Sequence, residues 1–235
     1  MNRSLKTRDI NFIKTILEND PDKIESISLA DKKQEKKISQ IIALASKNNV
    51  KIIFNNALRI EALYFPKEIE DINYLEKILA NKKNPFILIL DHITDPQNLG
   101  SILRTSLGAN VDAVIVPKKR ACHLSTSVRE VSKGASELLP LIVVSNLRNT
   151  VKYLKENFVQ IIACSEKANN NYYDADLTGS MAFIFGSEDK GIQPLLEKEA
   201  DEMIKIPIDS KLESLNVSNA TSVILFEAKK QRMVI

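Results

Sequence analysis

The chain has 235 residues, of which 44% are hydrophobic and 27% charged, and its net charge is +3. That length supports one large or two ordinary domains without staples, and the only cysteines, Cys122 and Cys164, form no C-x-x-C pair, which disfavours a disulfide scaffold or zinc site and points to a reducing compartment. The opening MNRSLKTRDINFIK has no continuous apolar segment and no run reaches the ~18 apolar residues of a membrane span, so a cytoplasmic protein without a membrane partner is expected.

Residues 1–70 read as a small α/β unit, with a helical pattern over 11–18, a strand at 24–29, a helix over 33–47 and a strand at 50–54. The segment 69–84 reads as a helix running into a polar linker, NKKN, before Pro85. The expected division is therefore a small unit over 1–75, a linker over 76–85 and a larger domain over 86–235. Charge follows the same division. Residues 1–84 hold 16 Lys+Arg against 12 Asp+Glu, whereas the remainder is nearly balanced. Lys32, Lys33, Lys36 and Lys37 form the densest basic cluster, and Lys82 and Lys83 lie near the end of this segment. Alone they read as a solvated helix face; beside an RNA substrate they would form a phosphate-contacting patch.

From Pro85 onward apolar runs of strand length alternate with helical patterns. The runs are FILIL (86–90), VDAVIV (111–116), LIVV (141–144), VQIIAC (159–164), MAFIF (181–185) and MIKIPI (203–208). Helices are expected over 99–109, 125–135, 147–157 and 217–232, the last ending in Lys229, Lys230 and Arg232, which suit the negative end of a helix. Unbroken apolar strands separated by helices imply an α/β fold with a mostly parallel sheet covered on both faces.

Two nucleotide motifs are absent. MAFIF followed by GSEDKG imitates a phosphate-binding loop, because Gly186 and Gly191 have the G-x-x-x-x-G spacing, but Ile192 and Gln193 stand where Lys and Ser/Thr are needed. No strand is followed by G-x-G-x-x-G, so a Rossmann-type site has no fingerprint either.

Three other segments carry the chemistry: TDPQNLGSILR (94–104), FIFGSEDKG (183–191) and SLNVSNA (214–220). In order and spacing they resemble the three motifs of the SpoU/TrmH family of knotted, S-adenosylmethionine-dependent RNA 2′-O-ribose methyltransferases, over roughly residues 86–232. Within the family the chain looks most like the enzymes that methylate a guanosine ribose in large-subunit ribosomal RNA. The resemblance implies a trefoil-knotted catalytic domain that binds S-adenosylmethionine in loops at the carboxyl ends of the sheet. It also implies a preceding RNA-binding domain of the ribosomal-protein-like type and a homodimer built on the catalytic domains. No metal is implied.

Residue by residue, Gly186, Gly191, Ile206, Leu215 and Asn216 match donor-binding positions, where backbone groups do much of the holding. Asn98, Arg104, Glu188, Ser214 and Asn216 match the catalytic set. Arg104 has been cast in the family as the base that takes the 2′-proton. A guanidinium with a pKa above ~12 suits phosphate binding and stabilisation of the developing alkoxide better. Glu188, read as starting a helix, would orient Asn98 or Arg104. Each residue also has a plainer role: core packing for Ile206 and Leu215, turn glycines for Gly186 and Gly191, helix caps for Glu188, Ser214 and Asn216. His92 reads as a structural histidine at a strand end.

The chain departs from the closest members by lacking a His-Gln-Gly segment in the interdomain connection, where NNALRIEALYFPKE stands, and by lacking a glycine-histidine opening. These departures bear on the RNA target and leave the three motifs intact. A transfer-RNA methyltransferase and a non-catalytic ribosome-assembly factor of the same fold are the alternatives. The 80-residue N-terminal unit disfavours the first, and retention of Asn98, Arg104, Glu188 and Asn216 disfavours the second.

Overall fold

The computed structural model describes residues 4–30, 36–55, 59–187 and 189–233. In chain order the small unit comprises β1 (Leu5–Thr7), α1 (Ile10–Asn19), β2 (Ile24–Ala30), α2 (Lys36–Lys47), β3 (Ile52–Asn55) and β4 (Glu61–Tyr64). Its four-stranded sheet has the order β1-β4-β2-β3, antiparallel except for the parallel β2–β3 pair. Asp9 caps α1 by accepting from the Phe12 N–H, which leaves Phe12, Ile13, Ile16 and Leu17 on the face that covers the sheet. The short strands β1 and β4 were not evident in the sequence. β4 is only EALY, and its alternation of partly and fully buried positions is too brief to distinguish from a loop.

The remainder comprises α3 (Ile72–Asn81), β5 (Phe86–Asp91), α4 (Pro96–Ala109), β6 (Ala113–Pro117), α5 (Thr126–Ser132), α6 (Ala135–Leu138), β7 (Leu141–Val144), α7 (Leu147–Glu156), β8 (Gln160–Cys164), β9 (Asn170–Asn171), β10 (Met181–Gly186), α8 (Pro194–Glu197), β11 (Glu202–Lys205) and α9 (Val217–Arg232). Seven strands form one sheet in the order β7-β6-β5-β10-β8-β11-β9, and every pairing in it is parallel. Every residue of β5 and β6 is buried. Phe86, Leu88 and Leu90 face one apolar cluster, shared with α4 and α9; Ile87 and Ile89 face the other, shared with α3 and α7. Both faces are covered, as the unbroken apolar runs imply.

Three expectations need correction. The linker expected over 76–85 is mostly the helix α3, whose Leu75 and Ile78, three residues apart on one face, bury against the large sheet, while Glu70 exchanges backbone hydrogen bonds with the edge strand β7. The helix expected over 125–135 is broken, because Lys133 and Gly134 both take left-handed backbone angles between α5 and α6. The strand expected at 203–208 stops at Lys205: Pro207 has no N–H to offer, and β9 is only two residues long.

A buried polar cluster joins the two units. Glu137, with no exposure, forms an ion pair with Arg129, accepts from the Lys67 backbone N–H at 2.6 Å and from the Ser136 hydroxyl at 3.1 Å. Arg129 in turn donates to the Lys67 carbonyl at 2.9 Å, and Lys133 pairs with Asp9. Burial here pushes the Tyr64 hydroxyl well above its usual pKa and lowers that of Lys67. No sequence motif marks this seam. Its partners are far apart in the chain.

Candidate active site

Ligands in open parallel sheets bind beyond the carboxyl ends of the strands, and three of those ends, of β10, β8 and β11, surround a cleft of about 340 Å³. Gly186 terminates β10 in register with Asp91 of β5. The chain then turns back on itself. Gly191, at φ 64°, donates its N–H to the Ser187 carbonyl at 2.8 Å, and a Cβ on Gly186 would lie 2.0 Å from the Gly191 carbonyl carbon and 2.2 Å from the Ile192 nitrogen. Only glycine permits that crossing at position 186. The phosphate-loop spacing of these two glycines thus has a steric cause unrelated to phosphate.

Gly186 and Gly191 line the cleft together with Ile206, Ser214 and Leu215. Apolar walls come from Phe185 and Ile204 and the polar rim from Asp189, Lys190 and Lys205. Cys164, partly buried, also lines it, and desolvation raises its thiol pKa well above the ordinary value, keeping it protonated.

The first and third motifs meet directly. Asn98, in the first turn of α4 and 8% exposed, accepts a hydrogen bond at 3.0 Å from the side-chain amide of Asn216. Asn216 is the N-cap of α9, its side-chain oxygen accepting from the N–H of Ser218 at 2.9 Å. Its capping and bridging roles coexist, since the amide uses its oxygen for the helix and its nitrogen for Asn98. Asn216 and Asn98 are not among the residues that line the cleft, although Leu215 and Val217, on either side of Asn216, are.

Arg104 lies two-thirds of the way along α4, exposed and outside the cleft lining, and its guanidinium makes no hydrogen bond or ion pair with any other described residue. Glu188 lies outside the described residues, and the helix expected to begin at it is α8, four residues long and starting at Pro194. Five sequence-marked residues therefore gather at one cleft, Asn98 and Asn216 pair with each other outside its lining, and Arg104 is outside the lining as well. Sequence reasoning missed Asp91 and Gln193, which bond to each other beside the cleft; the only signal was an acidic residue ending an apolar strand.

The basic cluster divides on inspection. Lys32 and Lys33 lie outside the described residues; Lys36 and Lys37 are exposed at the start of α2 with no ion pair among the described residues; Lys82 is committed to Asp112 at 2.9 Å.

Comparison with known proteins agrees with this geometry. The SpoU rRNA Methylase family model matches residues 85–226. A 23S rRNA (guanosine-2′-O-)-methyltransferase RlmB from Pseudomonas putida is 34% identical over 248 residues, covering 100% of this chain and 99% of its own, and the Escherichia coli K12 protein of the same name is 34% identical over 95% of this chain and 97% of its own. The crystal structure of the SpoU methyltransferase AviRb from Streptomyces viridochromogenes with its cofactor AdoMet superposes with a TM-score of 0.77 at 18% identity, covering 99% of this chain and 92% of the other, a likeness of fold. The order of the three motifs and these full-length matches place the chain in the SpoU rRNA methylase family.

Proposed function

We propose that the protein transfers a methyl group from S-adenosylmethionine to the ribose 2′-hydroxyl of a guanosine in large-subunit ribosomal RNA. The observation that carries this reading is the cleft itself, lined by residues of the second and third motifs, which begin 89 and 120 positions after the first, while the Asn98–Asn216 amide pair ties the third motif to the first. Its volume is of the size that small-molecule cofactors occupy. Its make-up suits S-adenosylmethionine: backbone groups of Gly186, Gly191 and Leu215 for polar edges, Ile206, Phe185 and Ile204 for an adenine face, and a mixed polar rim for the amino acid portion. When bound, the donor supplies a methyl group on a sulfonium.

What the chain must add is position and charge. Holding the 2′-oxygen in line with the methyl supplies much of such a rate enhancement. Arg104, unpaired within the described chain, is free to take the phosphate beside the target ribose in a bidentate grip and to stabilise the oxyanion as the proton leaves. Ser214 and Asn216 offer hydroxyl and amide groups to the ribose without titrating near neutrality, and Glu188 would orient Asn98 or Arg104.

Because Arg104 is held away from the cleft, a two-fold homodimer that brings it to the cleft of a second chain completes the site. Of the apolar residues on α4 and α9, Ile102, Leu103 and Leu225 are wholly buried within their own chain, which removes them from such an interface. Val223 and Phe226 remain exposed on α9, with Leu107 partly buried beside them on α4, and form the proposed contact. Sedimentation of the active protein as a monomer would refute this arrangement. The small unit, with Lys36 and Lys37 exposed, would dock the RNA, in the cytoplasm, and the trefoil knot belongs to the same reading.

Mapping ribose methylation in ribosomal and transfer RNA from cells lacking the gene tests the whole reading. One unmethylated guanosine in large-subunit RNA, restored by the gene, is expected. Loss confined to transfer RNA would overturn the target, and no loss at all would leave a non-catalytic factor.

A further inference from the structure

Asp91 is a wholly buried carboxylate at the end of β5, and an unpaired charge at such a position would be costly. Among the described residues its partners lie in two places. The backbone N–H of Gln193 donates to Oδ2 at 2.7 Å, the Gln193 side-chain amide donates to Oδ1 at 2.9 Å, and the ring Nδ1 of the adjacent His92 meets Oδ1 as well. The Gln193 amide nitrogen also approaches His92 Nδ1 at 2.8 Å. Gln193 occupies the N-cap position of α8 yet gives that helix no side-chain bond, so its amide serves Asp91 instead. It is 102 residues from Asp91 in sequence and directly follows Ile192, the end of the loop that turns back over Gly186.

The location gives these bonds a purpose. Ser187 and residues 189–192 line one side of the cleft, and among these described residues one backbone hydrogen bond, from Gly191 to Ser187, is found. Glycines at both ends of that turn leave it torsionally soft. A bidentate bond from Gln193 to a carboxylate fixed at the end of a central strand removes that freedom, because bonds to a charged acceptor are strong and directional. We propose that Asp91 and Gln193 form a clamp that holds the loop in its donor-binding shape, so that both are positioning residues whose effect is read as affinity for S-adenosylmethionine. The inference rests on the assignment of the cleft to that donor.

The clamp is tested in the full-length protein by calorimetric titration with S-adenosylmethionine, by donor and RNA saturation kinetics and by thermal unfolding. Gln193 is exposed, so Gln193→Ala should unfold at the wild-type temperature while weakening donor binding about tenfold. The KM for the donor should rise by the same factor, with kcat at saturating donor and the KM for RNA within about twofold of wild type. Gln193→Glu sets two carboxylates against each other and should weaken binding further. Adding Asp91→Asn to it restores a donor and acceptor pair and should recover most of the loss. Wild-type donor affinity in Gln193→Ala would overturn the clamp, as would a fall in unfolding temperature that accounts for the lost binding, or failure of the double variant to recover. A wild-type protein that binds no donor would instead overturn the assignment of the cleft.

Discussion

Three charged side chains are buried among the described residues: Asp91 beside the cleft, and Arg129 with Glu137 at the seam between the two units. Apart from Asn98, the other buried side chains are apolar or small. The contrast shows what each region needs. The parallel sheet orders itself by area, since β5 and β6 are apolar on both faces and tolerate no exposure. The seam has little apolar surface to align it, and it uses an ion pair, three backbone groups and two serines to fix one orientation. The cleft combines both, with apolar walls and one carboxylate that holds a loop.

The largest effect is expected at the residue that belongs to neither core. If Arg104 acts on substrate as proposed, Arg104→Ala should lower methyl transfer about 10³-fold with donor binding unchanged, since its guanidinium makes no hydrogen bond or ion pair with any other described residue and lies outside the cleft lining. Arg104→Lys keeps the charge and loses the planar fork. If lysine preserved most of the activity, charge alone would suffice and the bidentate geometry would be wrong.

At the seam, Glu137→Ala leaves Arg129 buried without its partner, a change that costs about 3–5 kcal/mol, read by denaturant unfolding. Replacing both, as Arg129→Met with Glu137→Leu, should recover much of that stability while loosening the register of the small unit. A single variant that lost less than about 1 kcal/mol would mean that the seam is hydrated and the units are aligned by other contacts.

In the cleft, Gly186→Ala drives a methyl into the Gly191 carbonyl and should cost about 2–4 kcal/mol along with detectable donor binding. Gly179→Ala is its control. A Cβ there meets nothing within 4 Å, and the change should stay within about 0.5 kcal/mol. Equal effects at the two glycines would show that the crossing over Gly186 relaxes in solution.

What could be read in the sequence follows the same line. Continuous apolar runs marked β5, β7 and β10, because strands buried on both faces need no alternation. Gly186, Ile206 and Leu215 were marked by motif order and do line the cleft. The helix α3 was partly hidden, since its polar face resembles a linker and its Leu75 and Ile78 declare their role only against a sheet folded later. Asp91 with Gln193 and Arg129 with Glu137 were invisible for a different reason. Each depends on partners brought together by the tertiary path, over separations of 102 residues for the first and, through Lys67, of 62 and 70 for the second.

The smallest expected effect separates the buried part of the seam from its rim. Burial acts to raise the pKa of Asp9, but the ammonium of Lys133 and the backbone N–H of Phe12 more than offset it, and the carboxyl lies below its ordinary 3.8. A depressed carboxylate contributes stability that is fully present above that ordinary value and disappears as pH falls through the folded one. Asp9→Asn keeps a capping oxygen for Phe12 and removes only the charge facing Lys133. Both partners of this pair are partly exposed, at 34% and 23%, so the difference between wild type and variant should be only about 0.5 kcal/mol at neutral pH. It should hold level down to about pH 5, shrink below pH 4 and vanish in stronger acid, as measured by urea unfolding across that range. A difference that persisted at pH 2 could not come from the ionised carboxylate, and Asp9 would then matter to the seam only as a cap for α1.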